Sequence, residues 1–299
     1  MSATAPSLHA SGPLVDAAWL AERLGQTGLV VLDSTTNIQA DANGHERIVP
    51  DREAFAAAHI PGARFVDLQG ELSAPDAPFA FTLPDTRDLQ QGLRALGVRQ
   101  HDTLVVYSTG NPWWATRVWW TLQAHGLSRV HVLDGGLRHW AAAGLPLESG
   151  PARPWPAGDI VVPHADAFAR TIDAAALQAR LGDADLRLVN ALPPDKFAGR
   201  TPVHGGRAGH IPGSLNLPAA SLIDPATGLL RPAPEREALL RAQGLLDAGK
   251  EVVAYCGGGV SATLVLFALA LAGRHDARLY DASLAEWAKR ADLPIATLP

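Results

Sequence analysis

The chain has 299 residues, of which 47% are hydrophobic and 18% charged, and its formal net charge is −5 at pH 7. This length exceeds what a single hydrophobic core usually spans and predicts two domains of about 150 residues each. The mild acidity and the absence of a basic stripe argue against nucleic-acid binding, and a single cysteine excludes an intramolecular disulfide.

Neither a targeting segment nor a membrane span is expected from the sequence. Residues 1–16 lack the basic start and the apolar stretch of a signal peptide. The longest apolar run, residues 263–273, has the length of a buried helix and falls short of the roughly 18 residues of a membrane span. We therefore expect a cytoplasmic enzyme without membrane association.

Short apolar strands alternate with helices in the first half of the chain. An apolar run over residues 29–37 leads into a polar loop. Residues 102–108, DTLVVYS, have the length and β-branching of a buried parallel strand. The helical pattern of residues 115–126 stops at a glycine, and residues 129–136 are predicted to form another strand.

The second half repeats this alternation. Residues 251–256, EVVAYC, predict a strand, residues 261–273 a helix that stops at glycine, and residues 277–283 a further strand. Such an order predicts an α/β fold, in which each domain is a mostly parallel sheet with helices on both faces. Ligands of such sheets collect at the carboxyl ends of the strands.

Four landmarks recur in the same order in the two halves and indicate a tandem duplication. The first is the apolar run before a polar loop, at residues 29–37 and 186–194. The others are the histidine of an HIPG motif, a strand-ending tyrosine and a tryptophan, at separations of 151, 148 and 147 positions: His59 and His210, Tyr107 and Tyr255, and Trp140 and Trp287. This period is too long for a solenoid.

The duplication predicts the domain boundaries. We expect an N-terminal domain over residues 13–148 and a C-terminal domain over residues 160–299. Residues 149–159 between them are rich in proline and glycine and predict an exposed linker.

The only cysteine, Cys256, stands between a predicted strand and a predicted helix and is followed by three glycines. Cysteine reacts as its thiolate, and the unpaired N–H groups and positive dipole end of a helix N-terminus favour that anion. Glycines let the backbone curl around the sulfur, so that successive N–H groups form an anion-binding nest. A buried core cysteine before a tight turn is the alternative. Three glycines favour the nest, which comprises Gly257, Gly258, Gly259, Val260 and Ser261.

Two other chemistries of such loops are not supported. Cysteine-dependent phosphatases need an arginine six positions after the cysteine, and that position is Ala262. The loop also lacks the lysine of a phosphate-binding P-loop, so nucleotide binding has no evidence.

Three motifs together resemble the tandem-rhodanese sulfurtransferases over residues 13–297. They are the two HIPG motifs, VLDGGLRHW at residues 132–140, and YCGGGVSA at residues 255–262. The resemblance implies two rhodanese-like domains, of which the C-terminal one is active. Its cysteine would take a sulfane sulfur from a donor as a persulfide and pass it to cyanide or a thiol. In the N-terminal copy Ser108 aligns with Cys256 and cannot form a persulfide, so this copy is expected to be inactive.

The resemblance leaves the sulfur donor open. Members that use 3-mercaptopyruvate usually carry a hydroxyl residue two positions after the cysteine, as part of a proton relay. This chain has Gly258 there and no histidine near Phe81, where a relay partner is expected. Where the family has a substrate-binding arginine, this chain has Lys196.

Further cations follow Lys196 in a glycine-rich segment, and one of them can supply the missing anion contact: Arg200, His204 and Arg207. Because Lys196, Arg200 and Arg207 suit a dianion, we expect thiosulfate as the donor. The alternatives are 3-mercaptopyruvate, or a non-catalytic sulfur carrier with the same fold. Neither a metal nor an organic cofactor is implied, and the oligomeric state is left open.

Several other motif residues are interpreted as structural. His59 and His210 are expected to hydrogen-bond the backbone beside the turn that their proline and glycine form. Trp140 and Trp287 are expected in the cores. Asp134 and Asp281, at strand ends, are expected to cap the following helices.

Overall fold

The structure is a computed structural model that describes residues 6–40 and 46–299. The chain forms two compact units. The N-terminal unit comprises Met1–Pro75, Pro84–Ala165 and Pro225–Leu229, and the C-terminal unit comprises Asp76–Leu83, Asp166–Asp224 and Leu230–Pro299. The units thus follow the two sequence halves, except that each takes one short segment from the other half.

The N-terminal unit contains a parallel sheet of five strands in the order β1-β7-β6-β2-β5. Its strands are β1 (Leu14–Val15), β2 (Leu29–Asp33), β5 (Arg64–Phe65), β6 (Thr103–Tyr107) and β7 (Val130–Leu133). The central strand β6 is buried along its whole length, as its run of apolar residues predicts. A separate antiparallel hairpin pairs β3 (Thr36–Ala40) with β4 (Glu46–Pro50).

The N-terminal unit has six described α-helices, and aspartates begin four of them. The carboxylates of Asp16, Asp51, Asp67 and Asp85 each accept a backbone N–H of the first helical turn, which stabilises a helix start. The helices are α1 (Ala17–Ala21), α2 (Arg52–Ala57), α3 (Leu68–Glu71), α4 (Thr86–Ala95), α5 (Trp113–Ala124) and α6 (Gly136–Ala142).

The predicted linker is exposed over residues 151–157 and then anchored to the N-terminal unit. Gly158 N–H donates to the carbonyl of Arg94 at 2.8 Å, and Arg94 Nε donates to the carbonyl of Ile160 at 2.8 Å. The chain is therefore held against this unit at the end of the proline-rich segment.

The C-terminal unit repeats the architecture with a parallel sheet in the order β11-β10-β8-β9. Its strands are β8 (Leu186–Asn190), β9 (Leu215–Asn216), β10 (Glu251–Tyr255) and β11 (Arg278–Leu279). A parallel bridge from Thr171 to Leu279 takes the place that β1 has in the first sheet. The helices are α7 (Ala174–Gln178), α8 (Pro194–Phe197), α9 (Ala233–Ala242), α10 (Ala262–Leu271) and α11 (Ser283–Trp287), with 3₁₀ turns at Ala167–Arg170 and Ala219–Leu222.

The matching strand orders confirm the repeat. The strands predicted over residues 102–108 and 251–256 are also confirmed, and in the structure they end at Tyr107 and Tyr255. The hydroxyl of Tyr107 accepts the N–H of Ile60 at 3.2 Å, and that of Tyr255 accepts the N–H of Ile211 at 3.0 Å. Each bond ties a central strand to the HIPG turn of its own unit.

Helix α10 is buried on nearly every side, since nine of its ten residues lie in the interior. This burial explains why its sequence is apolar all round. It places the start of the helix, and the loop before it, on a rigid base. Within the described residues, every helix is too short or too polar to cross a membrane.

Candidate active site

Cys256 lies directly after β10, at the carboxyl edge of the C-terminal sheet. Its strand is flanked by β11 and β8, so the residue stands above the middle of the sheet. The loop Gly257–Val260 follows, and Ser261 precedes the first residue of α10. Residue Cys256 is 2% exposed. The strand–loop–helix junction predicted around the cysteine is confirmed.

The loop is fixed by the first turn of α11. The N–H of Leu284 donates to the carbonyl of Cys256 at 3.2 Å, and the N–H of Ala285 donates to the carbonyl of Gly257 at 2.7 Å. These bonds hold the carbonyls of the loop towards α11.

Ser283 is the side chain that organises the loop, and sequence reasoning missed it. Its Oγ accepts the N–H groups of Cys256 at 3.0 Å and Gly259 at 3.1 Å, and donates to the carbonyl of Tyr280 at 2.8 Å. Ser283 is fully buried, with φ of +52°. The internal repeat held a signal for it, since it aligns with Gly136, whose φ is +53°.

Four further N–H groups of the loop have no acceptor among the described residues, whereas that of Gly259, a predicted member of the nest, is taken by Ser283. Residues 6–40 and 46–299 provide no acceptor for the N–H groups of Gly257, Gly258, Val260 and Ser261. Such groups can bind an anion, and this role of the loop stays a prediction.

The three glycines of the loop have two neighbours, Asp281 at Gly259 and His204 at Gly257 and Gly258. Gly259 has φ of +74°, and a Cβ there would overlap the carbonyl oxygen of Asp281. A Cβ on Gly257 would lie 2.9 Å from Nε2 of His204, and one on Gly258 would lie 3.5 Å from the same atom. The imidazole of His204, one of the predicted cations, therefore lies against the cysteine loop.

The other predicted cations differ in their surroundings. Lys196 is half-buried in the last turn of α8, and Arg200 is exposed just beyond it. Arg207 donates from Nε to the carbonyl of Ala288 at 3.2 Å. Its Nη2 donates to the carbonyls of Arg290 at 2.6 Å, Leu293 at 2.7 Å and Trp287 at 3.4 Å. This guanidinium thus stabilises the carboxyl end of α11, and its contact with a donor stays a prediction.

The structural roles of the HIPG histidines are confirmed. The Nδ1 atoms of His59 and His210 lie 2.8 Å from the carbonyl oxygens of Phe55 and Phe197, respectively. Each imidazole also stacks on the ring of the same phenylalanine, with centroids 3.9 and 3.8 Å apart.

The predicted core tryptophans are also confirmed. Trp140 and Trp287 are fully buried, and their Nε1 atoms donate to the carbonyls of Pro146 and Pro294 at 2.7 Å.

The helix-capping role predicted for Asp134 and Asp281 is wrong. Helices α6 and α11 begin after Gly135 and Ala282, and no side chain caps either start. Asp281 Oδ2 instead accepts the N–H of Leu83 at 2.7 Å. Leu83 belongs to the segment that the C-terminal unit takes from the first half of the chain.

Tyr255, the residue before the cysteine, keeps its proton. Burial raises the pKa of its phenol to about 12, against opposing hydrogen bonds from Ser214 and Asn190. Its hydroxyl lies 2.8 Å from Oγ of Ser214. The base of the loop therefore carries a neutral, hydrogen-bonded side chain.

The equivalent loop of the N-terminal unit has no thiol. Ser108 Oγ donates to the carbonyl of Asn111 at 2.7 Å, which closes the turn on itself. A Cβ on Gly136 would overlap the carbonyl oxygen of Ser108. Among the described residues, no group of three histidine, cysteine or carboxylate side chains could hold a metal ion.

Comparison with known proteins identifies both halves. A family model, the Rhodanese-like domain, matches residues 16–143 and again 173–290. The chain is 38% identical over 295 residues to a "Probable 3-mercaptopyruvate sulfurtransferase" of Pseudomonas aeruginosa, covering 96% of this chain and 99% of the relative. It is 38% identical over 248 residues to a "Putative thiosulfate sulfurtransferase SseB" of Mycobacterium tuberculosis, covering 81% and 84%.

A solved structure supports the same relationship. The 3-mercaptopyruvate sulfotransferase SseA of Escherichia coli superposes with a TM-score of 0.78 at 30% sequence identity, covering 91% of this chain and 99% of that structure.

Proposed function

Since the chain belongs to the rhodanese family and is a sulfurtransferase with two tandem domains, we propose that Cys256 carries the sulfur as a persulfide and that 3-mercaptopyruvate is its donor. The observation that supports the role of Cys256 is the set of four N–H groups in the loop after it that have no acceptor among the described residues, because such groups can form a nest that stabilises an anionic sulfur. The N-terminal copy, with Ser108 in this position, would not react.

The reaction balances without a cofactor. The thiolate of Cys256 attacks the sulfur of the donor, and a Cys256 S–S bond forms as the carbon–sulfur bond of the donor breaks. The bonding pair leaves on carbon as the enolate of pyruvate, which gains a proton. The thiol proton of the donor is lost from the new persulfide, which then passes its outer sulfur to a thiol or to cyanide.

The surroundings of the cations change the order of the donors expected from the sequence. The sequence predicts thiosulfate as the donor because the three cations Lys196, Arg200 and Arg207 suit a dianion. One of them, Arg207, is engaged with four carbonyls at and after the end of α11, within residues 287–293, and the loop itself is neutral. The name of the P. aeruginosa relative, which matches nearly the whole chain, also favours 3-mercaptopyruvate.

Thiosulfate is the second candidate donor. Lys196 and Arg200 lie in and just after α8, and the M. tuberculosis relative is named for thiosulfate. We propose that these cations, with the N–H groups of the nest, hold the anionic end of either donor. A cytoplasmic location and a thiol or cyanide acceptor are part of the same proposal.

The test supplies each donor to the wild type and to Cys256→Ser. With 3-mercaptopyruvate and a thiol acceptor, we expect the wild type to release pyruvate, and with cyanide to form thiocyanate. Without an acceptor, its mass should rise by one sulfur atom. Cys256→Ser should show neither product nor mass gain.

The outcomes separate the alternatives. Faster turnover of thiosulfate than of 3-mercaptopyruvate would overturn the choice of donor. Mass gain without turnover of any acceptor would indicate a sulfur carrier, and no mass gain would refute the persulfide.

A further inference from the structure

The proposed donor makes a chemical demand that thiosulfate does not. When thiosulfate reacts, sulfite leaves with the electron pair and is stable as an anion. When 3-mercaptopyruvate reacts, the pair leaves on carbon, and the enolate must gain a proton. General acid catalysis of such a step typically accelerates it by about 10²- to 10⁴-fold. The site therefore needs a general acid beside the cysteine loop when the sulfur donor is 3-mercaptopyruvate, but not when it is thiosulfate.

The loop itself supplies little for this purpose. Gly257, Gly258 and Gly259 carry no side chains, and Val260 is apolar. The phenol of Tyr255 lies at the buried base of the loop, and burial raises its pKa to about 12. The one remaining side chain, the hydroxyl of Ser261, does not titrate near neutral pH, so a titratable side chain comes from another segment.

His204 comes from another segment and lies at the open side of these glycines. Apart from the glycine and its two chain neighbours, its Nε2 is the single atom of the described residues within 4 Å of where a Cβ on Gly258 would stand, at 3.5 Å, and it lies 2.9 Å from the corresponding position of Gly257. His204 is an exposed residue, although its Nε2 lies against the loop. Histidine is the side chain that most readily gives and takes a proton near neutral pH.

The backbone around His204 holds the imidazole in this place. His204 has φ of +49°, a conformation that side-chain-bearing residues rarely adopt. The preceding residue, Val203, is buried, and its γ-carbon lies 3.0 Å from the Cβ position of Gly257. Two residues later a Cβ on Gly206 would crowd Ala288 at 2.6 Å. The turn is thus packed on both sides of the histidine.

We propose that His204 is a further catalytic residue and carries the proton of the first half-reaction. As the carbon–sulfur bond breaks, the imidazolium gives its proton to the departing enolate, which becomes pyruvate. The neutral imidazole then takes the thiol proton from the new persulfide of Cys256. Each turnover leaves the histidine protonated as before, and the donor's thiol proton has in effect moved to carbon. The inference rests on the proposed 3-mercaptopyruvate activity.

The test compares two donors in His204→Asn. Asparagine tolerates the positive φ but cannot transfer the proton. We expect kcat for pyruvate formation from 3-mercaptopyruvate to fall on the order of 100-fold, with KM little changed. Turnover of thiosulfate should stay within about threefold of wild type, because its leaving group needs no proton.

A second variant tests the same role if asparagine disturbs the loop. His204→Gly removes the imidazole and relieves the strain at φ of +49°, and added imidazole should restore pyruvate formation but leave thiosulfate turnover unchanged. His275→Asn, at an exposed histidine on the loop between α10 and β11, is the matched control and should behave as wild type with both donors.

The outcomes decide between the proposals. Equal losses with both donors, and no rescue by imidazole, would show that His204 only shapes the loop and would overturn its role. Unchanged pyruvate formation in both variants would also overturn it. A wild type that forms thiocyanate from thiosulfate but no pyruvate would instead remove the donor proposal, and the role of His204 with it.

Discussion

Ser283→Ala tests whether one hydroxyl holds the cysteine loop together. Oγ of Ser283 accepts the N–H groups of Cys256 and Gly259 and donates to the carbonyl of Tyr280. The residue is fully buried, so water cannot replace these three bonds. At about 0.5–1.5 kcal/mol net for each bond, we expect the free energy of unfolding to fall by about 2–4 kcal/mol.

Ser283→Gly is the matched variant, because it loses the same bonds but fits the backbone better. The φ of +52° strains alanine but not glycine, and the difference is about 1 kcal/mol. Wild type should therefore be the most stable, Ser283→Gly intermediate and Ser283→Ala the least stable. The N-terminal copy already has Gly136 in this position, at φ of +53°.

Two measurements check the prediction. Urea unfolding followed by tryptophan fluorescence gives the order of stability. Single-turnover mass measurements give the rate of persulfide formation, which should fall in both variants because the nest is no longer held open. The reasoning is refuted if Ser283→Ala unfolds within about 0.5 kcal/mol of wild type and loads sulfur at the wild-type rate.

Two further substitutions test the glycine turn and a buried carboxyl. Gly259→Ala would overlap the carbonyl of Asp281, whereas Gly213→Ala at a similar φ of +80° meets open space and should cost only about 1–2 kcal/mol. Urea unfolding should show the larger loss for Gly259→Ala, and equal losses would contradict the overlap. Burial raises the pKa of Asp33, so the wild type loses stability as pH rises through that value. Asp33→Asn, matching Asn190 of the repeat, should be more stable than wild type at about pH 8, with a gap that closes towards about pH 4; a gap that widens in acid would refute this.

The strand, the loop and the helix around Cys256 could be predicted because each rests on local properties. The apolar run of residues 251–255 suits a strand buried on both faces, and the all-apolar pattern after Ser261 suits a buried helix. Three glycines allow the curl between them, whatever surrounds it. The repeat also predicts that the N-terminal copy is inactive, since Ser108 aligns with Cys256 between otherwise matching elements.

Hydrogen-bond partners and neighbours could not be predicted, because they come from distant parts of the chain. Ser283 reaches the loop across 27 positions, and Asp281 binds the N–H of Leu83 across 198. The position of Asp281 at a strand end predicts a helix cap, but the following helix begins at Ser283, two residues later, and its N-cap residue, Ala282, provides no side-chain cap. A local pattern does not specify which of several acceptors a carboxylate meets.

The predicted cations in and after α8 show most clearly what the sequence determines and what the tertiary structure decides. Composition and spacing determined that four candidates follow one another from Lys196, that the loop is neutral and that a single thiol stands at a strand end. Only the tertiary structure decided their surroundings: the guanidinium of Arg207 meets the carbonyls that end α11, whereas the imidazole of His204 lies on the glycines after Cys256. The physical reason is that charge and periodicity are properties of the residues themselves, whereas a side chain's partner depends on which distant backbone the packed core brings within about 3 Å of it.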